Sequence, residues 1–138
     1  MDIDAWRERE IGKRVKLRIA EDNREFALMH NADTDETLRG YVRRQAEKLG
    51  RMPHPLELPG GIFLNRRLGD WRKLAESLGL APAASVHGER AFRRLEEQEA
   101  ARFAEERRAI KKEKKRKYRQ RVQAIEENKK AYQSTQTH

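Results

Sequence analysis

From residue 89 to about residue 131 the chain runs without a single glycine or proline and is filled with Glu, Gln, Ala, Lys and Arg. Such residues lose little side-chain freedom in a helix and nothing among them interrupts one, so one long helix is the expected outcome. Its apolar residues Phe92, Leu95, Phe103, Ile110, Tyr118, Val122, Ile125 and Tyr132 are too sparse for the dense seam of a full coiled coil. The spacing therefore predicts an extended, charged helix over residues 89–132, followed by a polar tail, 133–138, that frays.

The same composition limits the rest. With 40% charged and 36% hydrophobic residues in 138, little of the chain can be buried. Compact structure is expected at residues 33–80, the segment with helix starts, stops and an apolar interior. Over residues 34–49, Leu38, Tyr41, Val42, Gln45, Ala46 and Leu49 fall at helical spacing. Asp33 and Glu36 would form a capping box at the start of this helix, and Gly50 would end it. Gly40 inside it marks either the close approach of another element or an exposed position. Pro55 suits the first position of a short helical turn before Pro59 and Gly60-Gly61 interrupt. Ile62, Phe63, Leu64 and Leu68 then resume an apolar pattern that closes the core. Asp70 caps a last short helix with Trp71, Leu74, Ala75 and Leu78 on one face. Gly79 stops it, with Leu80 folded back as in a Schellman motif. Trp71 on that face reads as core rather than as a base-stacking platform.

A core of this size is marginal without a cover, and the N-terminal segment, residues 1–32, is expected to supply one. Val15, Leu17 and Ile19 alternate like a strand before Glu21-Asp22-Asn23. Ile11, Val15, Ile19, Phe26 and Met29, however, share one helical arc that continues past that point, so an amphipathic helix over residues 5–29 is the better reading. Trp6, Leu17 and Leu28 form a second, looser strip, expected to be buried within the same chain. Residues 81–88, rich in Ala, Pro, Ser and Gly, read as a linker. The expected fold is all-α: an N-terminal amphipathic helix on a small three-helix, helix-turn-helix-like module, then a long extended charged C-terminal helix.

Several short stretches carry a family likeness. Leu38-Arg39 leading to Ala46, Leu49-Gly50-Arg51-Met52-Pro53, Glu57 with Pro59-Gly60-Gly61, Arg67-Leu68-Gly69-Asp70-Trp71 and Leu78-Gly79-Leu80 together resemble the homing endonuclease associated repeat. The likeness covers about a third of the chain, in one copy over residues 35–80 and without a nuclease domain. The family's usual Arg-Phe-Gly-Ser-Trp stands here as Arg67-Leu68-Gly69-Asp70-Trp71, where Leu fills an apolar slot and Asp caps as Ser does. His54 stands where Thr often follows the Pro. The resemblance implies a small helical module that binds DNA and accompanies phage or other mobile elements.

Formal net charge is +9 with a pI near 10.1, which favours a polyanionic partner. Residues 1–87 hold 16 Lys/Arg against 14 Asp/Glu, and residues 88–138 hold 16 against 9, so the excess lies in the tail. Its densest part is Lys111, Lys112, Lys114, Lys115, Arg116, Lys117, Arg119 and Arg121, with Glu113 the one acid among them. Such a run gathers counterions, and their release on a phosphate backbone drives salt-sensitive binding. The plainer reading is a solvated helix whose Arg residues pair with Glu96, Glu97, Glu99, Glu105 and Glu106 one turn away. In the module, Arg72 and Lys73 at the entry of the last helix are candidates for bases or phosphates, with Arg66 and Arg67 as backbone clamps.

Catalysis finds no support in the residues. His30, His54, His87 and His138 lack metal-ligand spacing, and no nucleophile elbow or phosphate loop is present. No enzyme activity, cofactor or metal is expected. The absence of cysteine, of a signal pattern and of a membrane-length apolar run fits a cytoplasmic protein without a membrane partner. The expected function is a nucleic-acid-binding accessory protein, DNA before RNA, a monomer or weak dimer. The alternative is a helical adaptor or inhibitor docking on a nuclease effector or ribosome. Its contacts would be Trp6, Leu17, Leu28, Phe103, Ile110 and Tyr118 together with the basic tail.

Overall fold

The structure, a computed structural model, describes residues 2–136 and no side chain at 136. Its elements are α1 (Ile3–His30), α2 (Asp35–Leu49), a 3-10 turn (Pro55–Glu57), α3 (Gly61–Leu68), α4 (Trp71–Ser77) and α5 (Ser85–Gln136). No strand occurs among the described residues, and the fold is all-α. Two compact units divide the chain, Met1–Glu99 and Ala100–His138, and the boundary falls inside α5.

Helix α1 starts where Asp2 accepts hydrogen bonds from the amides of Asp4 and Ala5 at 3.0 and 3.3 Å. Val15 is fully buried and Phe26 nearly so, as the apolar arc requires. The arc does not reach Met29, which is 76% exposed. His30 takes the inner side of the last turn instead, its ring 4.3 Å from Phe26 and its Nδ1 2.8 Å from Asp33 Oδ2. The second strip is not buried either: Leu17 and Leu28 face solvent, and Trp6 is half-buried.

That pairing of Asp33 with His30 displaces the expected capping box. The cap of α2 is Thr34, whose Oγ1 accepts from the amide of Thr37 at 3.2 Å. Leu38, Val42 and Ala46 are buried along α2, and Gly50 ends it with its amide on the Ala46 carbonyl. Gly40 lies against no second element, because an added Cβ would meet only the tip of Arg44 at 3.7 Å.

The corner that follows is set by charge. Arg51 grips Glu57 with two hydrogen bonds of 2.8 and 2.7 Å, and Glu57 also accepts from the His54 amide. Those contacts, the Arg51 hydrogen bonds first, hold the Glu57 carboxyl down to about 2 from an ordinary 4.5. His54 caps the 3-10 turn itself, its Nδ1 accepting from the Leu56 amide at 3.1 Å. Gly61 begins α3 so close to this turn that a Cβ would lie 1.7 Å from the Pro55 carbonyl oxygen, which leaves room for glycine only. Asn23 of α1 reaches across to accept from the Phe63 amide at 2.7 Å, capping α3 from another helix.

Phe26, Leu38, Val42, Met52, Leu58, Leu64, Leu74 and Ala75 form the shared core, edged by Tyr41, Phe63, Leu68, Trp71, Leu78 and Leu80. Trp71 is core-facing, and its indole N–H donates to the Pro53 carbonyl at 2.9 Å. The Schellman ending of α4 is present, with the Leu80 amide on the Ala75 carbonyl and the Gly79 amide on that of Glu76.

Two tail boundaries differ from the sequence reading. Helix α5 begins at Ser85, inside the expected linker, because its first turn packs on the module: a Cβ on Gly88 would lie 2.6 Å from the His54 ring. Residues 85–99 belong to the compact unit, with Ala91 and Glu99 buried and Glu99 3.4 Å from Arg18 of α1. At the other end the helix continues through residues 133–136, and residues 137 and 138 lie outside the described residues.

Candidate nucleic-acid interface

In the module, the entry to α4 has its own anion. Asp70 Oδ1 accepts from the amides of Arg72 and Lys73 at 3.0 and 3.3 Å, so the helix N-terminus already holds a carboxylate. The Arg72 and Lys73 side chains project into solvent beside it, and Arg66 is likewise exposed near the end of α3. Arg67 is placed differently. Its guanidinium donates to Asp35 Oδ1 at 2.8 Å and to the carbonyls of Asn31 and Asp33 at 3.1 and 2.8 Å. That fork ties α3 to the α1–α2 corner and leaves the side chain little capacity to clamp a phosphate. Of the four module candidates, three are free to meet a ligand and one is a structural tie.

The tail candidates share another environment. Lys111, Lys112, Lys114, Lys115, Arg116, Lys117, Arg119 and Arg121 are all exposed along one uninterrupted helix, as is every residue from 104 to 135. Arg116 pairs with Glu113 at 2.6 and 3.0 Å, which holds the Glu113 carboxyl below its usual range and raises Arg116. The other seven have no ion pair among the described residues. On steps of about 100° they occupy most of the circumference, and the arc they leave is that of Glu113 and Gln120. The acidic neighbours do not interleave with them, so the run stays a concentrated positive surface.

Lys129 and Lys130 add to this surface and were missed, because Val122 to Asn128 dilutes the charge before them. Their continuity on one exposed helix is the signal that could have found them. Among the apolar docking candidates, Phe103 is buried, whereas Ile110 and Tyr118 are 45% and 68% exposed. No group of three or more His, Asp or Glu among the described residues is arranged to hold a metal ion. No helix among them is long and apolar enough to cross a membrane. No family model matches this chain, and no curated protein or solved structure matches it either.

Proposed function

We propose that this is a nucleic-acid-binding accessory protein, without catalytic activity of its own, whose affinity for duplex DNA comes from residues 111–121 of α5. One observation carries the reading: eight exposed cations on a continuous helix, of which Arg116 alone is in an ion pair among the described residues, with Lys117 a turn away from the same Glu113. A B-form major groove is about 12 Å wide and admits an α-helix, with phosphates on both walls for cations on either flank. The deep, narrow major groove of A-form RNA admits none, which puts duplex DNA ahead. The module would orient the protein through Arg66, Arg72 and Lys73, and its likeness to the homing endonuclease associated repeat and to mobile-element proteins belongs to this proposal.

A second reading, a protein adaptor, is favoured by Leu17, Leu28 and Met29, which α1 leaves exposed. The two separate in one experiment. The full chain is titrated into labelled duplex DNA, structured RNA and single strands across a salt series. Binding to the duplex whose logarithm falls linearly with log salt supports the proposal. Absence of binding at about 50 mM salt, where phosphate contacts are strongest, rejects it and moves attention to α1.

A further inference from the structure

The C-terminal unit carries four exposed apolar residues that nucleic-acid binding does not use, Tyr118, Val122, Ile125 and Tyr132. Tyr118, Val122, Ile125, Lys129 and Tyr132 follow one another at intervals of four, three, four and three residues, the spacing of a coiled-coil seam. The four apolar members are 68, 36, 49 and 64% exposed. A lone helix in water has marginal stability without tertiary packing, so an apolar stripe within residues 104–135, all of them exposed, calls for a cover.

We infer that this stripe pairs with the same stripe of a second copy, in antiparallel orientation, about a two-fold axis between Gln123 and Ala124. The choice of occupant and of direction rests on charge. In the antiparallel pairing Val122 of each copy meets Ile125 of the other, making the dry centre. On either side Tyr118 meets Lys129, and beyond that Lys115 meets Tyr132. Each lysine then lays its aliphatic stem on a ring and its ammonium at the ring face. Arg119 on the flank comes beside Glu126 of the other copy. The parallel alternative would set each residue against its twin, Lys129 on Lys129 and Lys115 on Lys115, with the two basic runs side by side. One favourable flank pair there, Arg121 beside Glu126, is opposed by Lys114 beside Arg119. Like charges in a core seam and along both flanks disfavour that arrangement. The antiparallel arrangement instead sets the centres of the two basic runs about 22 Å apart along the pair, at a rise of about 1.5 Å per residue.

The test uses the full chain without nucleic acid. Its sedimentation mass should rise with concentration from 16.3 kDa toward twice that value. Ile125→Glu, at an exposed position, should weaken association at least about tenfold while leaving the near-ultraviolet signal of Trp6 and Trp71 unchanged. Direction is read independently. Arg119→Glu and Glu126→Arg should each weaken the pair, and the double variant should restore it, which a parallel pair would not do. Because the chain has no cysteine, Tyr118→Cys mixed with Lys129→Cys should oxidise mainly to the mixed disulfide. Predominant self-disulfides would overturn the antiparallel assignment. A monomer at about 0.5 mM, where even a millimolar dissociation constant would populate some pairs, would overturn the association itself. Neither result bears on DNA binding, which the salt series decides separately.

Discussion

Residues 1–99 carry 19 Lys/Arg against 18 Asp/Glu, net +1, whereas residues 100–138 carry 13 against 5, net +8. The same side chains have different physical roles in the two units. In the first, Arg18, Arg51 and Arg67 each end on a carboxylate of another segment, Glu99, Glu57 and Asp35, at 2.7 to 3.4 Å. There the guanidinium fork joins elements that the small apolar core alone holds weakly. In the basic run of the second unit no such cross-connection occurs among the described residues, and the cations stay exposed on the helix surface. The comparison teaches that local charge density says little until the position of the opposing charges is known.

The largest effect expected from breaking this contrast lies in the tail. Replacing Lys114, Lys115, Arg116 and Lys117 by Gln should lower duplex affinity roughly 100- to 1,000-fold near 0.15 M salt and flatten the log–log salt slope by about 3. Fluorescence anisotropy across the salt series measures both, and an unchanged slope would remove the tail from the interface. In the module the largest effect is on stability. Leu64→Ala, at a fully buried position, should cost about 3 kcal/mol by denaturant unfolding monitored through Trp71, whereas Ile125→Ala should leave that transition in place.

A third way to sharpen the contrast is pH. Because the Glu57 carboxyl is lower in the folded chain, its stabilising effect is complete above about 4.5 and is lost as pH falls toward about 2. Acid unfolding of the wild type should therefore steepen through that window, and Glu57→Gln should lower stability at neutral pH while flattening the acid limb. The smallest effects separate Arg67 from its neighbours. Arg67→Gln should cost about 1–2 kcal/mol of stability through its three lost hydrogen bonds. Arg72→Gln and Lys73→Gln should each stay within about 0.5 kcal/mol. If Arg67→Gln instead left stability intact and weakened DNA binding, its role as a tie would be wrong.

Much of the helix pattern was legible locally. Leu38, Val42 and Ala46 carry the period of α2, Asp70 and the Gly79-Leu80 ending bound α4, and the glycine- and proline-free tail becomes one helix. These features depend on neighbours within one or two turns, and chain order records them. Other features required distant partners. Thr34 rather than Asp33 caps α2 because His30, on the preceding helix, engages Asp33. Asn23 caps α3 from 40 residues away, which no local motif announces. Met29 lies on the predicted arc yet is exposed, since an arc shows which residues could face inward and not where the opposing surface stops.

The candidate site divides in the same way. The cationic run at 111–121 was visible in composition, and its exposure follows from its own charge. Whether Arg67 faced a phosphate or a fold carboxylate could not be read from Arg66-Arg67-Leu68, because Asp35 and the Asn31 and Asp33 carbonyls arrive only when α3 packs at the α1–α2 corner. By itself the sequence determined the helices, their stops and the uneven charge, all set by short-range backbone and solvation preferences. The tertiary structure decided which cations are joined to the fold and which stay exposed, because that depends on carboxylates and carbonyls brought near by packing.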